Sequence, residues 1–243
     1  VLTRDMHAFN MTTEVWDTAT ALPTGMERQY ACGFSYNTSG FIFGGIADNN
    51  YLNDLWKYDA GTKKWQSLSA LPAAGRMGAS CFVINDTAYI IGGKTATASS
   101  VNEVWAYSIL TDKWTSKDSL PFGALWRAAA AASSDNGYLI FGRNASNGYK
   151  KELYEYTPAT NSWKLLSSFP GNGRTYAAMK WMNNNLIVIA GIDSLNNSYN
   201  DLWKFDLNSM NWKQLSSLPA EARRGGICFN AATTLYYTTG ISQ

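Results

Sequence analysis

Apolar residues occur along this chain in short runs, and each run is bounded by turn-forming residues. Examples are "FIFGG" from Phe41, "AYIIGG" from Ala88 and "LIVIAG" from Leu186. Short apolar runs bounded by Gly, Asn, Asp or Pro are typical of β-strands, and the apolar spacing of an amphipathic helix is nowhere sustained. The five alanines at 128–132 favour a helix by intrinsic propensity, yet they lead directly into the strand-like "NGYLIFG". The pattern predicts an all-β protein.

An internal repeat explains this pattern. Three landmarks recur every 49 residues: an aromatic residue, then a tryptophan, then a proline after Leu or Phe. They fall at Phe9, Tyr58, Tyr107, Tyr156 and Phe205; at Trp16, Trp65, Trp114, Trp163 and Trp212; and at Pro23, Pro72, Pro121, Pro170 and Pro219. Superposing the five copies gives four strand-like pieces per repeat, separated by turns. Four short strands repeating about every 50 residues predict the blades of a β-propeller.

The repeat also accounts for the alanines. They occupy the first strand of the third copy, where the second copy has "GASC" and the fourth has "YAAM". First strands line the central channel of a propeller, where neighbouring blades converge and side chains must be small. We therefore expect a strand here, because tertiary crowding overrides helix propensity.

The sequence "YIIGG" at 89–93, followed by "VWAYS" at 104–108, Trp114 and a Leu-Pro pair, resembles the kelch repeat over essentially the whole chain. In three copies Gly142-Arg143, Ala190-Gly191 and Thr239-Gly240 stand in place of the diglycine. The resemblance implies a kelch-type propeller with four antiparallel strands per blade. It is specific for fold and weak for function.

Five copies predict a single five-bladed domain over residues 1–243. The chain begins just ahead of a third strand and ends just after a second strand. The last blade would therefore be shared between residues 1–22 and 219–243, with N-terminal strands three and four pairing with C-terminal strands one and two. Closure would remove two exposed sheet edges. The alternatives are a fragment of a larger propeller and an assembly of several chains.

Composition narrows the classes of partner. The formal net charge is +2 and charged residues make up 16% of the chain, too mild a balance for a nucleic-acid-binding stripe. The absence of a long apolar stretch predicts no membrane span. The low charge content, with abundant Asn, Ser and Thr, favours an extracellular or cell-surface protein. The chain starts at Val1 without a cleavable signal segment, which indicates a mature or excised piece, and we expect a monomer.

Cysteine and histidine offer no metal or cofactor site. Cys32, Cys81 and Cys228 each lie nine residues after their proline, so we expect equivalent free thiols on innermost strands. The lone His7 aligns with Trp56 and Trp105, which predicts a packing role. No second His or closely spaced Cys pair completes a metal site, and no cofactor is predicted.

Candidate binding residues lie on one rim of the channel. An arginine near the start of each first strand predicts a site for a carboxylate or phosphate: Arg28, Arg76, Arg127, Arg174 and Arg223. Acids recur at the start of each third strand, near the same rim: Asp5, Asp54, Glu103, Glu152 and Asp201. These acids offer an alternative, in which the arginines only form structural ion pairs.

Aromatic residues that break the repeat strengthen the rim as a site. Trp126 stands beside Arg127, and Tyr30 and Tyr176 map to the starts of first strands. Aromatic rings beside arginines suit sugars or peptides. We therefore predict a non-catalytic binding module for a glycan or protein partner. The resemblance also admits enzymes, since kelch relatives include copper galactose oxidases and sialic acid mutarotases. A single His argues against copper, and a mutarotase-like reaction would need a rim carboxylate such as Glu27 or Glu221.

Overall fold

The computed structural model describes residues 2, 4–10, 12–146, 148–231 and 233–242, with the side chain of Ala231 outside the description. Four sheets of four antiparallel strands form its centre, and within each sheet the strands are neighbours in chain order. We name them blades 1 to 4. From the innermost strand outward, blade 1 comprises Cys32–Tyr36, Ser39–Phe43, Leu55–Asp59 and Lys64–Leu68, and blade 2 comprises Ser80–Ile84, Thr87–Ile91, Val104–Ser108 and Lys113–Lys117. In the same order, blade 3 comprises Ala129–Ala132, Gly137–Ile140, Glu152–Thr157 and Ser162–Ser168. Blade 4 comprises Ala178–Met182, Asn185–Ile189, Leu202–Asp206 and Asn211–Leu215.

Two further hairpins flank these blades. The N-terminal hairpin pairs Met6–Asn10 with Val15–Ala19, and the C-terminal hairpin pairs Ile227–Ala231 with Thr234–Thr238. Short two-residue pairs extend the loops, namely Ile46–Ala47 with Asn50–Tyr51 and Arg223–Arg224 with Ile241–Ser242. The described residues contain no helix long and apolar enough to cross a membrane. The all-β, propeller-type prediction is confirmed.

The prediction of five closed blades is wrong, because the structure has four complete blades and two separate half-blades. Phe9 and Tyr236, expected in one blade, lie in different two-stranded sheets. The N-terminal hairpin is held on blade 1, where Trp65 Nε1 donates to Thr20 O at 2.7 Å. The C-terminal hairpin packs instead beside the innermost strand of blade 4. Each hairpin therefore contacts a different blade, and in the described part of the chain the two hairpins do not form the shared sheet expected of residues 1–22 and 219–243.

The landmark residues pack one blade against the next. In blade 2 the ring centroids of Tyr107 and Trp114 are 4.9 Å apart. Trp114 Nε1 reaches back to Ser69 O at 2.7 Å, and Leu71, which precedes a landmark proline, is fully buried between blades 1 and 2. Similar apolar clusters lie between blades 2 and 3 and between blades 3 and 4. The repeat period is thus the period of blade-to-blade packing.

The alanine run forms an innermost strand, as expected. Ala129–Ala132 runs between the innermost strands of blades 2 and 4, and its last three residues line a central cavity of about 660 Å³ together with Gly33 and Cys81. All three cysteines are free thiols on innermost strands. A hydrogen bond with Cys81, together with burial, raises the pKa of Cys32 well above its ordinary value.

Each complete blade ends its second strand with two residues in the left-handed region. In blade 2 these are Gly92 and Gly93, with φ of 62° and 106°. A Cβ at Gly92 would collide with the carbonyl oxygen of Leu125. In blade 3 the equivalent pair is Phe141 and Gly142, at 68° and 91°, rather than the expected Gly142-Arg143. The blade 3 copy is therefore offset by one residue from our sequence alignment at this point.

Candidate functional site at the mouth of the channel

Three of the five rim arginines are occupied by structural ion pairs. Arg28 contacts Asp54, Arg76 contacts Glu103 and Arg174 contacts Asp201, each with a nitrogen–oxygen distance of 2.7 Å. The three arginines are buried, and a tryptophan two residues after each acid donates its Nε1–H to the same carboxylate. The structure thus shows the alternative, structural pairing at these positions. We leave these three arginines out of the candidate site.

The prediction that Arg127 belongs to the same set is wrong. The second glycine position after each second strand donates its backbone N–H to the carbonyl of the rim residue in the next copy. This carbonyl belongs to Arg76, Arg174 and Arg223 for Gly45, Gly142 and Gly191. For Gly93 it belongs to Leu125. Leu125 therefore occupies the arginine position in blade 3. Arg127 lies two residues later, at φ 57°, in the position that Tyr30, Gly78, Tyr176 and Gly225 occupy elsewhere.

These five left-handed residues surround the mouth of the channel. Backbone hydrogen bonds connect them between blades: Gly78 N donates to Tyr30 O, Arg127 N to Gly78 O and Gly225 N to Tyr176 O, all at 2.8 to 2.9 Å. Gly78 makes room for its larger neighbours, since a Cβ at this position would lie 3.2 Å from the side chains of Trp126 and Arg127. Two hydrogen-bonded backbone groups, Tyr30–Gly78–Arg127 and Tyr176–Gly225, therefore carry three large side chains at the mouth.

The guanidinium of Arg127 is held among aromatic rings. Its Cζ lies 3.8 Å from the ring centroid of Trp126, 4.0 Å from that of Tyr176 and 4.9 Å from that of Tyr30. Tyr30 and Tyr176 come from blade 1 and the blade 4 entry, and their centroids are 6.4 Å apart. Stacking on aromatic faces is a favoured environment for an arginine, and it fixes the direction in which the N–H groups point.

A cavity of about 220 Å³ opens beside Arg127, and we call it the channel-mouth site. Its lining residues come from three parts of the ring and are Trp126, Arg127, Arg143, Tyr149, Thr175, Tyr176, Ile192, Asn196 and Arg224. Three of them are arginines and none is an Asp or Glu. Among the described residues no carboxylate lies within ion-pair distance of Arg127 or Arg224. The site thus concentrates positive charge on a mildly charged protein.

Burial tunes the groups of this site without changing their charge at neutral pH. It lowers the pKa of Arg127, but a guanidinium remains protonated at any physiological pH. Burial also raises the pKa of Tyr176 to about 12, so its phenol is neutral. The Arg127 Nε–H is buried and has no hydrogen-bond partner. Cationic donors and neutral phenols together favour an anionic acceptor.

Trp126 is a buried residue that lines the channel-mouth site, rather than an exposed residue of the rim. It is only 9% exposed, and Lys94 Nζ lies 5.7 Å from its ring centroid. Tyr30, by contrast, is 42% exposed. Sequence reasoning missed Arg143 and Arg224, although both have a signal: Arg143 follows the left-handed pair of blade 3, and Arg224 takes the position of Trp126 in the last copy.

The remaining rim groups do not join the channel-mouth site. Arg223 donates to backbone carbonyls of Glu221 and Thr239. Glu27 contacts Arg4 at 3.5 Å, and Glu152, left without an arginine in blade 3, accepts from the Lys151 backbone N–H. In the described part of the chain no group of three or more His, Cys, Asp or Glu is placed to hold a metal ion.

The repeats, the blade geometry and the left-handed pairs define a kelch-type β-propeller. The sequence matches the family model of the KLHDC2/KLHL20/DRC7 Kelch-repeats domain twice, over residues 1–169 and 72–240. Because these matches together span nearly the whole chain, the protein belongs to this kelch-repeat family. No curated protein matches the chain. Membership is consistent with a binding or interaction module.

Proposed function

We propose that this chain is a non-catalytic binding module whose channel-mouth site holds an acidic side chain of a protein partner. The observation that carries the proposal is that Arg127 and Arg224 line the cavity and, among the described residues, no carboxylate lies within ion-pair distance of either. A cluster of like charge costs stability through self-repulsion. An anionic ligand would offset that cost and would accept charge-assisted hydrogen bonds, which are about twice as strong as neutral ones.

The size of the cavity favours one group of a larger partner. Its volume of about 220 Å³ is below the range of about 300 to 1,000 Å³ that is typical of pockets for whole small-molecule ligands. An acidic side chain fits this volume, while the exposed ring of Tyr30 offers contact area outside it. The inter-blade hydrogen bond from Arg127 N to Gly78 O and the rings around its guanidinium hold Arg127 in place before binding, which lowers the entropic cost of association.

The enzyme alternative has less support. A mutarotase-like reaction needs a carboxylate near the bound sugar, and the lining supplies none. Glu27, a candidate for that role, is engaged with Arg4. Binding without catalysis therefore agrees better with the groups present at the mouth of the channel.

A peptide array tests the proposal. Matched peptides would carry Glu, phosphoserine or Gln at one position, and a parallel glycan array would carry acidic and neutral sugars. We expect acidic peptides to bind, with affinity that falls as salt is raised. Two variants should reduce this binding by tenfold or more: Arg224→Gln and Arg127→Gly. Glycine is the matched choice at 127 because Gly78 and Gly225 occupy the same left-handed position.

The control variant is Lys164→Gln, which removes one positive charge from the exposed outer strand of blade 3. It should bind like the parent chain. Equal binding of the Glu and Gln peptides, or binding that survives both arginine variants, would overturn the proposal. Retention of acidic glycans alone would assign the site to the glycan alternative instead.

A further inference from the structure

The channel-mouth site carries more positive charge than one carboxylate can neutralise. Arg127 and Arg224 both line it, and among the described residues no carboxylate lies within ion-pair distance of either. Lys94 adds a cation at its edge, since Lys94 Nζ lies 5.7 Å from the ring centroid of Trp126, which also lines the cavity. A carboxylate supplies one negative charge against these cations, whereas a dianion supplies two and offsets more of their mutual repulsion.

Two acids in the neighbouring loops do not supply this second charge. Asp193 is buried, and its carboxylate accepts hydrogen bonds from the Tyr199 hydroxyl and from the Asn197 side chain. Glu152 accepts a hydrogen bond from a backbone N–H. Neither acid lines the cavity. Within the described part of the chain, the charge of the lining arginines is therefore left to be balanced by a ligand.

The donors of the site come from different parts of the ring. Arg127 precedes the first strand of blade 3, Arg143 follows the second strand of that blade, and Arg224 precedes the C-terminal hairpin. Tyr176 adds a phenol that stays neutral, because burial raises its pKa to about 12. A carboxylate presents two oxygens in one plane, whereas a phosphoryl group presents three oxygens in a tetrahedral arrangement. Donors spread around the mouth of the channel therefore match the tetrahedral acceptor better.

One side-chain donor of Arg127 is buried and unused. Its Nε–H has no hydrogen-bond partner, and the rings of Trp126 and Tyr176 attract the charge of the guanidinium without supplying an acceptor oxygen to this N–H. The N–H groups of a guanidinium form a planar fork that matches two oxygens of one anion. A third oxygen, which a phosphoryl group has and a carboxylate lacks, is then left for Arg224.

We propose that the acidic group which the channel-mouth site holds is a phosphoryl group on a serine or threonine of the protein partner. This inference rests on the proposed function and narrows it to one class of anion. The cavity of about 220 Å³ fits a phosphoryl group on a short side chain. Phosphorylation adds close to two negative charges and three acceptor oxygens, neither of which the unmodified hydroxyl offers. Binding to this site is therefore switched on by modification of the partner.

Matched peptides test the choice of anion on the whole chain. Peptides that the array retains in either acidic form are made with phosphoserine, Glu or Ser at the same position, and their affinities are measured by fluorescence anisotropy. The phosphoserine peptide should bind about tenfold or more tightly than the Glu peptide, because charge-assisted hydrogen bonds form to three oxygens instead of two. The Ser peptide should bind most weakly. A Glu peptide that binds as tightly as the phosphoserine peptide would overturn this inference and leave the proposed function standing, whereas retention of neither acidic form would overturn both.

A pH series separates recognition of a dianion from recognition of any acid. The second pKa of a phosphoserine is about 6, so its dianion decreases about tenfold between pH 7.5 and pH 5.0, while Glu stays mostly ionised. The affinity of the phosphoserine peptide should fall about fivefold or more over this range, and that of the Glu peptide less than about twofold. The titratable groups that line the cavity or lie beside it are arginines, tyrosines and one lysine: Arg127, Arg143, Arg224, Tyr149, Tyr176, Tyr30 and Lys94. The Glu peptide reports any titration elsewhere in the protein.

A charge variant tests the third contact. Arg224→Gln should narrow the preference for phosphoserine over Glu by about threefold or more, because it removes the donor left for the third oxygen. Lys164→Gln, an equal charge change on the exposed outer strand of blade 3, should leave the preference unchanged. A preference that survives Arg224→Gln, or a phosphoserine affinity that stays constant from pH 7.5 to pH 5.0, would overturn the proposal.

Discussion

Replacement of Arg174 by Met should reveal how strongly a single buried ion pair holds blade 4. Arg174 is 1% exposed. Its Nη1 donates to Asp201 Oδ1 at 2.7 Å and to Ala190 O at 3.0 Å, and its Nη2 donates to Asp201 Oδ2 at 3.0 Å. The guanidinium also stacks at 3.9 Å on the ring of Tyr199. Methionine fills part of the volume, but among the described residues it leaves Trp203 as the one side-chain donor to the Asp201 carboxylate.

The expected loss follows from the carboxylate that remains. Removing one partner of a buried pair destabilises by about 3 to 5 kcal/mol, because the other charge stays desolvated and uncompensated. Against a total stability of about 5 to 15 kcal/mol, this would leave the variant marginal. Arg174→Lys keeps the charge but not the planar fork that contacts both carboxylate oxygens, so it should fall between the parent chain and the methionine variant.

Urea unfolding followed by tryptophan fluorescence measures the loss, with Lys164→Met on an exposed strand as the control. The transition should move to lower urea at an unchanged slope, which would show that the native state, rather than the unfolded state, was altered. A loss below about 1 kcal/mol, typical of an exposed ion pair, would refute the reasoning. It would show that water reaches Asp201 or that Tyr199 and Trp203 rearrange around it.

Three further changes test other parts of the molecule. Trp126→Ala should cost about 3 to 5 kcal/mol because the ring is only 9% exposed, and a melting temperature close to that of the parent chain would place this ring at the surface after all. Gly92→Ala should destabilise far more than Gly40→Ala in a thermal melt, because a Cβ at Gly92 meets Leu125 O and one at Gly40 meets no atom within 4 Å. Acid should weaken the fold between about pH 4 and pH 2, because burial raises the pKa of Asp193 but hydrogen bonds from Tyr199 and Asn197 outweigh it and hold this pKa at about 2. The stabilisation that ionised Asp193 contributes is therefore fully present above the pKa of Asp in the unfolded chain and is lost as pH falls through the native pKa. Asp193→Asn should flatten that part of the pH profile, and an unchanged profile would contradict the assignment.

Much of the fold could be predicted from the sequence because the landmarks are themselves the packing contacts. The aromatic residue and the tryptophan of each repeat pack against each other with tilted rings, as Tyr58 and Trp65 do at a centroid distance of 5.2 Å. Closure could not be predicted in the same way. The period fixes the number of strands, but whether Phe9 and Tyr236 meet depends on the curvature of the ring, to which every blade contributes. The structure leaves those two edges apart.

The candidate site was predicted only in part. The acids opposite Arg28, Arg76 and Arg174 were visible as a repeat, and so was their pairing as an alternative. The error at Arg127 arose because an arginine near the proline was taken as equivalent in every copy, whereas a strict step of 49 residues from Arg76 leads to Leu125. The grouping of Arg127 with Arg143 and Arg224 could not be predicted, because these residues lie in different copies and meet only across the mouth of the ring.

The third copy shows how a repeat protein separates a structural arginine from a binding one. Leu125 stands where Arg28, Arg76 and Arg174 form buried ion pairs in the other copies. It packs instead in an apolar cluster with residues of blade 2. Two residues later, Arg127 occupies a left-handed position where no acid of the repeat can reach it, and aromatic rings rather than a carboxylate hold its guanidinium. An arginine paired with an acid is already neutralised, whereas one held by rings keeps its charge available for a ligand. The departure from the repeat is therefore what leaves Arg127 without an acid partner among the described residues.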